Sequence, residues 1–192
     1  MPRSKGFDPD RVLDAAMEAF WTKGYTATSA QDLVEHTGLG RGSLYNAFAD
    51  KHALFLEVLR RYDEEWTTRQ VAVLEGDGPI RERVRRVLMT VVEEEARDDS
   101  ARRGCLAVNT ALELAGRDPA ATAAVRRVFG RMEDAFTRAV ERAQRDGEIA
   151  PGRPAESLGR YLLNAMYGLR VLGKSADAPA MTDIVETTLR IL

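Results

Sequence analysis

The sequence is poor in the residues that build disulfides and metal centres. It has one cysteine, Cys105, and two histidines, His36 and His52. A single cysteine excludes a disulfide within the chain and a zinc site with several cysteine ligands, and two histidines argue against a histidine-based metal centre. We therefore expect no metal and no cofactor. A chain of 192 residues can bury an apolar core without such support.

Long apolar runs are also missing. No segment approaches the ~18 apolar residues of a membrane span, and the opening MPRSKGFDPD lacks the apolar stretch of a secretory signal. The net charge is only −2, from 28 Lys and Arg against 30 Asp and Glu. Bulk charge therefore does not indicate a nucleic-acid partner, and any basic face has to be local. These features predict a cytoplasmic protein with no membrane contact.

Alternating strand patterns are absent as well, which predicts an all-α chain. Asp8 caps the first helix and Gly24 ends it. Two short helices follow, the first with Thr28 and Gln31 at capping-box spacing, and Asp50 then caps a longer helix. Glycine and proline place the later helices near 79–97, 104–115, 119–146, 154–174 and 181–191. The change from short to longer helices predicts two rigidly joined units, residues 1–52 and 53–192.

The two short helices fit a helix-turn-helix around a turn at 37–39. The second helix leaves polar side chains and a glycine on its outer side, as a helix that meets a DNA backbone and groove requires. These residues are Arg41, Gly42, Ser43, Tyr45 and Asn46. Lys51, in the first turn of the next helix, can share a phosphate with the exposed amides there. Arg3 and Lys5 form a small basic arm.

This stretch resembles the signature of TetR-family transcriptional regulators. The shared elements are a threonine cap at Thr28, a glycine-apolar turn at Gly38, a Gly-x-x-Tyr-x-x-Phe run at 42–48, and Lys51. The resemblance implies an N-terminal three-helix helix-turn-helix domain and a C-terminal helical domain for ligand binding and dimerisation. It also implies phosphate contacts from Thr28, Tyr45, Asn46 and Lys51, and groove contacts from Arg41, Gly42 and Ser43. Gly40 departs from the family's frequent Ser or Thr cap, although glycine is a tolerable cap.

A ligand pocket needs apolar walls with a few polar handles. The candidate wall residues are Tyr62, Trp66, Met89, Phe129, Met132, Phe136, Tyr161 and Met166. The candidate handles are Asn109, Asn164 and Arg170. For each of these residues the alternative is ordinary core packing.

The Gly-Cys-Leu run at 104–106 resembles a TetR subgroup in which this run starts the helix over the pocket, and some members of that subgroup sense electrophiles or oxidants. Cys105 lies at a predicted helix N-terminus after Arg102 and Arg103, and both features stabilise a thiolate. Lys174 is the candidate nitrogen for a link to an oxidised thiol. The alternative is that Cys105 is a small buried hydrophobic residue.

The family resemblance assigns the last two helices to a four-helix dimer interface. Their apolar residues are Leu158, Tyr161, Leu162, Ala165, Leu169, Leu172, Ile184, Val185, Leu189 and Leu192. On this assignment, arginine in place of Leu162 or Leu169 should produce monomers. The alternative is that the two helices cover the core of a monomer.

The resemblance implies a homodimeric repressor of transcription that occupies a double-stranded DNA operator, and dimeric readers of DNA need half-sites ~34 Å apart. A small apolar inducer or modification of Cys105 would release it. Two other functions stay open. A helical enzyme that binds a small molecule is disfavoured because no catalytic constellation stands out. A helical adaptor would use the helix-turn-helix for protein contacts, which the mixed charge of that region favours.

Overall fold

The computed structural model describes residues 7–96 and 103–192, and these form ten α-helices. The helices are α1 (Pro9–Lys23), α2 (Ala30–Thr37), α3 (Arg41–Phe48), α4 (Lys51–Tyr62), α5 (Thr68–Glu75), α6 (Ile80–Glu95), α7 (Leu106–Leu114), α8 (Pro119–Arg145), α9 (Ala155–Leu172) and α10 (Ala178–Leu189). Strands are absent from this part of the chain, and the all-α prediction is confirmed. None of its helices is long and apolar enough to cross a bilayer. The predicted basic arm, Arg3 and Lys5, lies outside the described residues, as does Arg102.

The caps of the first two helices follow from short polar side chains. Asp8 accepts a hydrogen bond from the amide of Asp10 at 3.0 Å, and α1 ends at Gly24 with a φ of +81°. At α2 the predicted cap is one residue too early. Ser29, not Thr28, is the N-cap, and it forms a reciprocal capping box with Asp32.

The last helix begins earlier than the sequence suggests. Asp177 accepts a hydrogen bond from the amide of Ala180 at 2.9 Å and caps α10, which starts at Ala178 rather than near residue 181. Pro179 lies within the first turn of α10. Proline is tolerated there because the first amides of a helix have no intrahelical partner.

A π-helical turn, Asp63–Thr67, joins α4 to α5 into one nearly continuous helix. Arg131 of α8 contacts the turn from the side. Its Nη1 donates to the Asp63 carboxylate at 2.7 Å and to the Asp63 carbonyl at 3.1 Å. Both bonds tie α8 to the first residue of the π-helical turn. The turn is thus fixed by a specific side chain rather than by local sequence alone.

The buried apolar residues form two clusters. One cluster contains α1, Leu33 of α2, Leu44 of α3 and α4, and it extends to both ends of α7 and into the N-terminal part of α8. The other is built from α5, α6, the C-terminal part of α8, α9 and α10. The first cluster therefore crosses the predicted boundary near residue 52. This shared core attaches the three N-terminal helices firmly to the longer ones.

The two sides of α9 have different environments. Leu162 and Leu169 are fully buried in the second cluster, so the prediction that they form an intermolecular surface is wrong. On the other side Tyr161, Val171 and Leu172 are each 44–46% exposed. Apolar residues occur nearly all round this helix, so periodicity alone does not reveal which stripe faces its own core.

Candidate functional site

The N-terminal half of α3 faces solvent. Arg41, Gly42, Ser43 and Asn46 are all exposed, whereas Leu44 is fully buried in the first cluster. The exposed set offers a cation, a hydroxyl, an amide and a position without a side chain. Gly42 has no side chain, and no described atom lies within 4 Å of the place where a Cβ would be. The backbone of a binding partner can therefore approach α3 closely at this residue. This is the chemistry that reads a nucleic-acid groove.

Other residues predicted to contact DNA are less exposed to solvent. Thr28 is fully buried, and its hydroxyl donates to the Gly24 carbonyl at 2.6 Å, so it has no exposed surface for a phosphate. Tyr45 is half-buried. Lys51 is half-buried too, with Nζ 4.5 Å from the centre of the Tyr25 ring, and this burial lowers the pKa of Lys51. Phosphate contacts from Tyr45 and Lys51 stay predictions.

The turn between α3 and α4 sets where Lys51 lies relative to α3. Ala49 has a φ of +62°, and the amide of Asp50 donates to the Phe48 carbonyl at 2.7 Å. This bond closes a three-residue turn around Ala49, and the positive φ of Ala49 is a strained backbone conformation for a residue with a Cβ. Asp50 then caps α4 by accepting from the amide of Ala53 at 2.7 Å. The tight turn keeps the first turn of α4 next to α3.

A small cavity lies among α4, the π-helical turn, α5, α6, α7, α8 and α9. Its volume is about 20 Å³, room for about one water molecule. Its aromatic walls are Tyr62, Trp66 and Tyr167, and its aliphatic walls are Val91, Val128, Met132 and Met166. Its polar residues are Thr67, Gln70, Cys105 and Arg170. A ligand of ordinary size enters only if these side chains move apart.

Arg170 is the charged group of the cavity. It is 7% exposed and pairs with Glu94 at 2.5 Å and Glu95 at 3.2 Å. Burial acts to lower the pKa of Arg170, but Tyr62 and Glu94 outweigh it and raise that pKa, so the guanidinium stays charged. Gly173 makes the pairing possible, because a Cβ there would lie 2.6 Å from Cγ of Glu95. The arginine is therefore neutralised within the protein.

Cys105 occupies the N-cap position of α7, where its side chain makes no capping hydrogen bond, and it is 2% exposed. Its Sγ lies 3.1 Å from Oη of Tyr62, within hydrogen-bonding distance. Burial and the neighbouring thiol raise the pKa of Tyr62, which therefore stays a neutral phenol. Lys174 lies close by, with Nζ 3.4 Å from the Arg103 carbonyl. Among the described residues, no group of three or more His, Cys, Asp or Glu is placed to hold a metal ion.

The structure brings six predicted ligand-binding residues together and separates others. The six that line the cavity are Tyr62, Trp66, Cys105, Met132, Met166 and Arg170. Phe129 lies behind Tyr167, with 4.4 Å between the ring centres, and Asn109 donates to the Arg103 carbonyl instead of facing the cavity. Tyr161 and Asn164 do not line it, because both are exposed on the opposite side of α9.

Sequence reasoning missed Gln70 and Tyr167 as lining residues. A usable signal existed for Gln70, which follows Tyr62 and Trp66 at successive steps of four along one continuous helix. Tyr167 lies three residues before Arg170 on α9, a spacing that places both on one side of the helix. Their packing partners on other helices could not be read from the sequence.

The cavity wall touches the N-terminal helices through Trp21 of α1. Its ring centre lies 5.3 Å from that of Tyr62 and 5.2 Å from that of Trp66, both in edge-to-face geometry. Its Nε1 donates to the carbonyl of Gly104 at 2.9 Å, just before α7. The Trp66 ring is therefore in direct contact with α1.

A second link joins the end of α7 to the turn between α1 and α2. The Glu113 carboxylate accepts from the amide of Tyr25 at 2.9 Å and from that of Thr26 at 2.6 Å. Burial acts to raise the pKa of Glu113, but these hydrogen bonds outweigh it and the pKa is lowered. Nearby, His52 at the start of α4 lies 2.6 Å from Asp118, which caps α8.

Two family models match the sequence. The model of bacterial regulatory proteins of the tetR family matches residues 12–58, and that of the tetracyclin repressor-like C-terminal domain matches residues 81–189. The chain belongs to the TetR family. This TetR-family chain is a DNA-binding transcriptional regulator and not an enzyme. Regulators of the family are dimeric and bind small-molecule ligands.

Curated relatives and solved structures agree with this assignment. The regulator is 33% identical to the uncharacterized HTH-type transcriptional regulator YezE of Bacillus subtilis, over the whole of both chains. It is 28% identical to the HTH-type transcriptional repressor ComR of Escherichia coli, over 98% of this chain and 90% of ComR. A cysteine mutant of the TetR-family regulator CifR, solved with 26-bp double-strand operator DNA, has a TM-score of 0.87 and 31% identity. That likeness covers 99% of this chain and 98% of CifR.

Proposed function

We propose that this TetR-family regulator is a homodimeric repressor that holds an operator through α3 of each copy and is released by a small molecule in the cavity. Residues 1–52 form the DNA-binding unit, and residues 53–192 form the unit for ligand binding and dimerisation. The repressor acts in the cytoplasm, where a bacterial operator is found. The exposed residues on α3, set around the buried Leu44, are the observation that carries this proposal.

The outer side of α9 supplies the dimer contact. Tyr161, Val171 and Leu172 expose apolar surface there. Pairing this side with its copy in a partner removes that surface from water, at about 25 cal/mol for each Å² buried. A dimer presents two copies of α3 at once, so a change in their separation costs contacts at one half-site and lowers affinity.

Release begins at the cavity. A molecule that enters a space of about 20 Å³ has to displace wall side chains, and Trp66 contacts Trp21 of α1 directly. The first cluster links α1 to Leu44 of α3 through shared apolar packing. Movement at Trp66 is thus passed to the α3 surface, and the two copies of α3 lose the spacing that the operator requires.

A gel shift with the DNA flanking the regulator's own gene tests the proposal. We expect a specific complex for the wild type, and Arg41→Ala should weaken it while relaxing base preference at one position. Arg81→Ala, an exposed arginine on α6, removes the same charge and should leave binding unchanged. Lys51→Ala should weaken all sequences about equally and reduce the log–log salt slope by about 1.

Two results would contradict the proposal. Absence of any specific complex with this DNA would favour the adaptor function. Equal losses of affinity for Arg41→Ala and Arg81→Ala would show that binding depends on bulk charge and not on α3.

A further inference from the structure

One polar atom at the cavity has no partner. Gln70 lines the cavity, and its Oε1 is buried without a hydrogen-bond donor anywhere in the described parts of the chain. Buried carbonyl oxygens are almost always hydrogen-bonded in native proteins, because an unpaired one has lost its water without compensation. Gln70 therefore offers an acceptor that a bound molecule can satisfy.

The charge balance at the cavity opposes an anionic ligand. Arg170 already donates to two carboxylates, Glu94 and Glu95, and these three groups carry a net charge of −1. A carboxylate ligand would have to displace one of them and leave it without its cation. Tyr62 and Tyr167 are both neutral phenols, since burial raises the pKa of each. An uncharged molecule meets none of these costs.

The walls favour a flat ring. Three aromatic rings line the cavity, those of Tyr62, Trp66 and Tyr167. The flexible side chains of Met132 and Met166 lie beside them and can adapt to an inserted group. The ligand must make its own room in a space of about 20 Å³. A planar molecule needs less separation of the walls than a globular molecule of the same area.

We propose that the cavity takes a small uncharged aromatic molecule with a hydroxyl or amino group that donates a hydrogen bond to Oε1 of Gln70. This ligand class rests on the proposed function, because it names the kind of molecule that would release the repressor. Gln70 selects for the donor, and the aromatic walls select for the ring. Arg170, held by its two glutamates, excludes anions.

Binding can be measured without DNA, because the sequence has only two tryptophans and both belong to this site. Trp66 lines the cavity and Trp21 packs against it. Tryptophan fluorescence of the purified full-length protein therefore reports on occupancy of the cavity. Four probes of similar size separate the contributions. Phenol carries a donor, anisole only an acceptor, toluene neither, and benzoate a negative charge.

We expect phenol to bind about tenfold more tightly than anisole or toluene, the value of one hydrogen bond in a buried site, and benzoate to bind most weakly. Gln70→Leu removes the acceptor while keeping the apolar stem. It should lower phenol affinity to that of toluene and leave toluene affinity unchanged. Gln144→Leu is the control. This glutamine of α8 donates to the Arg153 carbonyl, away from the cavity lining, and its loss should change no probe.

Several results would overturn the ligand class. They are benzoate binding as tightly as phenol, anisole matching phenol, an unchanged phenol preference in Gln70→Leu, and no fluorescence response to any probe. Operator release by phenol is measured separately in the gel shift. If the probes rank as expected but phenol does not release the operator, the ligand class stands and the release mechanism fails. If the operator is bound normally but the ranking fails, the repressor function stands and the ligand class falls.

Discussion

The Cys105 thiol is enclosed by the side chains that form the cavity. It is 2% exposed and lies 3.1 Å from the Tyr62 hydroxyl, so solvent and reagents reach it only after a local opening. Two hypotheses for this residue, an electrophile sensor and a buried hydrophobic residue, make different statements about reactivity. The structure adds a steric consequence: an adduct as large as that of N-ethylmaleimide on Sγ exceeds a space of about 20 Å³ and displaces neighbouring rings.

The first prediction concerns this thiol. N-ethylmaleimide should label the folded protein at least ~100-fold more slowly than the urea-unfolded protein, because labelling requires the opening. Once labelled, the protein should release its operator, since the adduct pushes Tyr62 and Trp66 outward. Mass spectrometry and the gel shift measure the two quantities on the same samples. Cys105→Ser should keep its operator throughout, and equal release by both proteins would remove the thiol from the response.

Residue-level prediction from sequence succeeds where one residue carries the signal. Asp8 and Gly24 mark the ends of α1 because a carboxylate caps amides and a glycine accepts a positive φ. It fails at Tyr161 and Asn164, which are exposed instead of lining the cavity. Helix α9 is apolar on both sides, and which side meets its own core depends on the other helices that pack against it.

Helix α7 connects the two functional surfaces. Cys105 at its start lines the cavity, and Glu113 near its end holds the amides of Tyr25 and Thr26 in the turn before α2. Nine residues at 1.5 Å per residue make a rod about 13 Å long. Two features of this link require glycine at position 24. Its φ is +81°, and a Cβ there would lie only 3.0 Å from Oε2 of Glu113.

The second prediction tests this link through Glu113→Gln. The pKa of Glu113 is lowered in the folded protein, so its carboxylate stabilises the fold above the ordinary pKa of glutamate, ~4.3, and this contribution is lost as the pH falls through the lowered value. We expect the variant to lose about 1 kcal/mol at pH 7, since the half-buried side chain is partly screened. The difference from wild type should shrink below about pH 4.

Urea unfolding at pH 7, 5, 4 and 3 measures that difference. Glu57→Gln is the matched control, because Glu57 pairs with Arg60 on the open surface of α4 and exposed pairs contribute roughly 0–1 kcal/mol. A stability loss for Glu113→Gln that stays constant down to pH 3 would contradict the role of the charge. The variant should also respond less to an effector, which the gel shift reports.

The assembled molecule depends on which side of α9 faces a partner. Glycine, proline and capping residues predicted most helix bounds to within a few residues, with the start of α10 the clearest miss, yet Leu162 and Leu169 belong to the core of one copy. Tyr161 and Leu172 are large apolar side chains that are exposed on the outer side of α9. An interface is a relation between two surfaces, and a periodic pattern in one chain does not distinguish it from the chain's own core.

The third prediction follows from this assignment. Tyr161→Arg and Leu172→Arg each place a charge in the apolar centre of the proposed interface, where an unpaired charge costs several kcal/mol. We expect monomers in sedimentation, with operator affinity reduced because one copy of α3 engages only one half-site.

Leu112→Arg is the control, because Leu112 is 74% exposed on α7 and its replacement should leave the dimer intact. Circular dichroism should show that all three variants keep their helices, which separates loss of assembly from loss of the fold. Dimers that persist in both α9 variants would show that the copies meet elsewhere, and the spacing of the two α3 helices would then need a different origin.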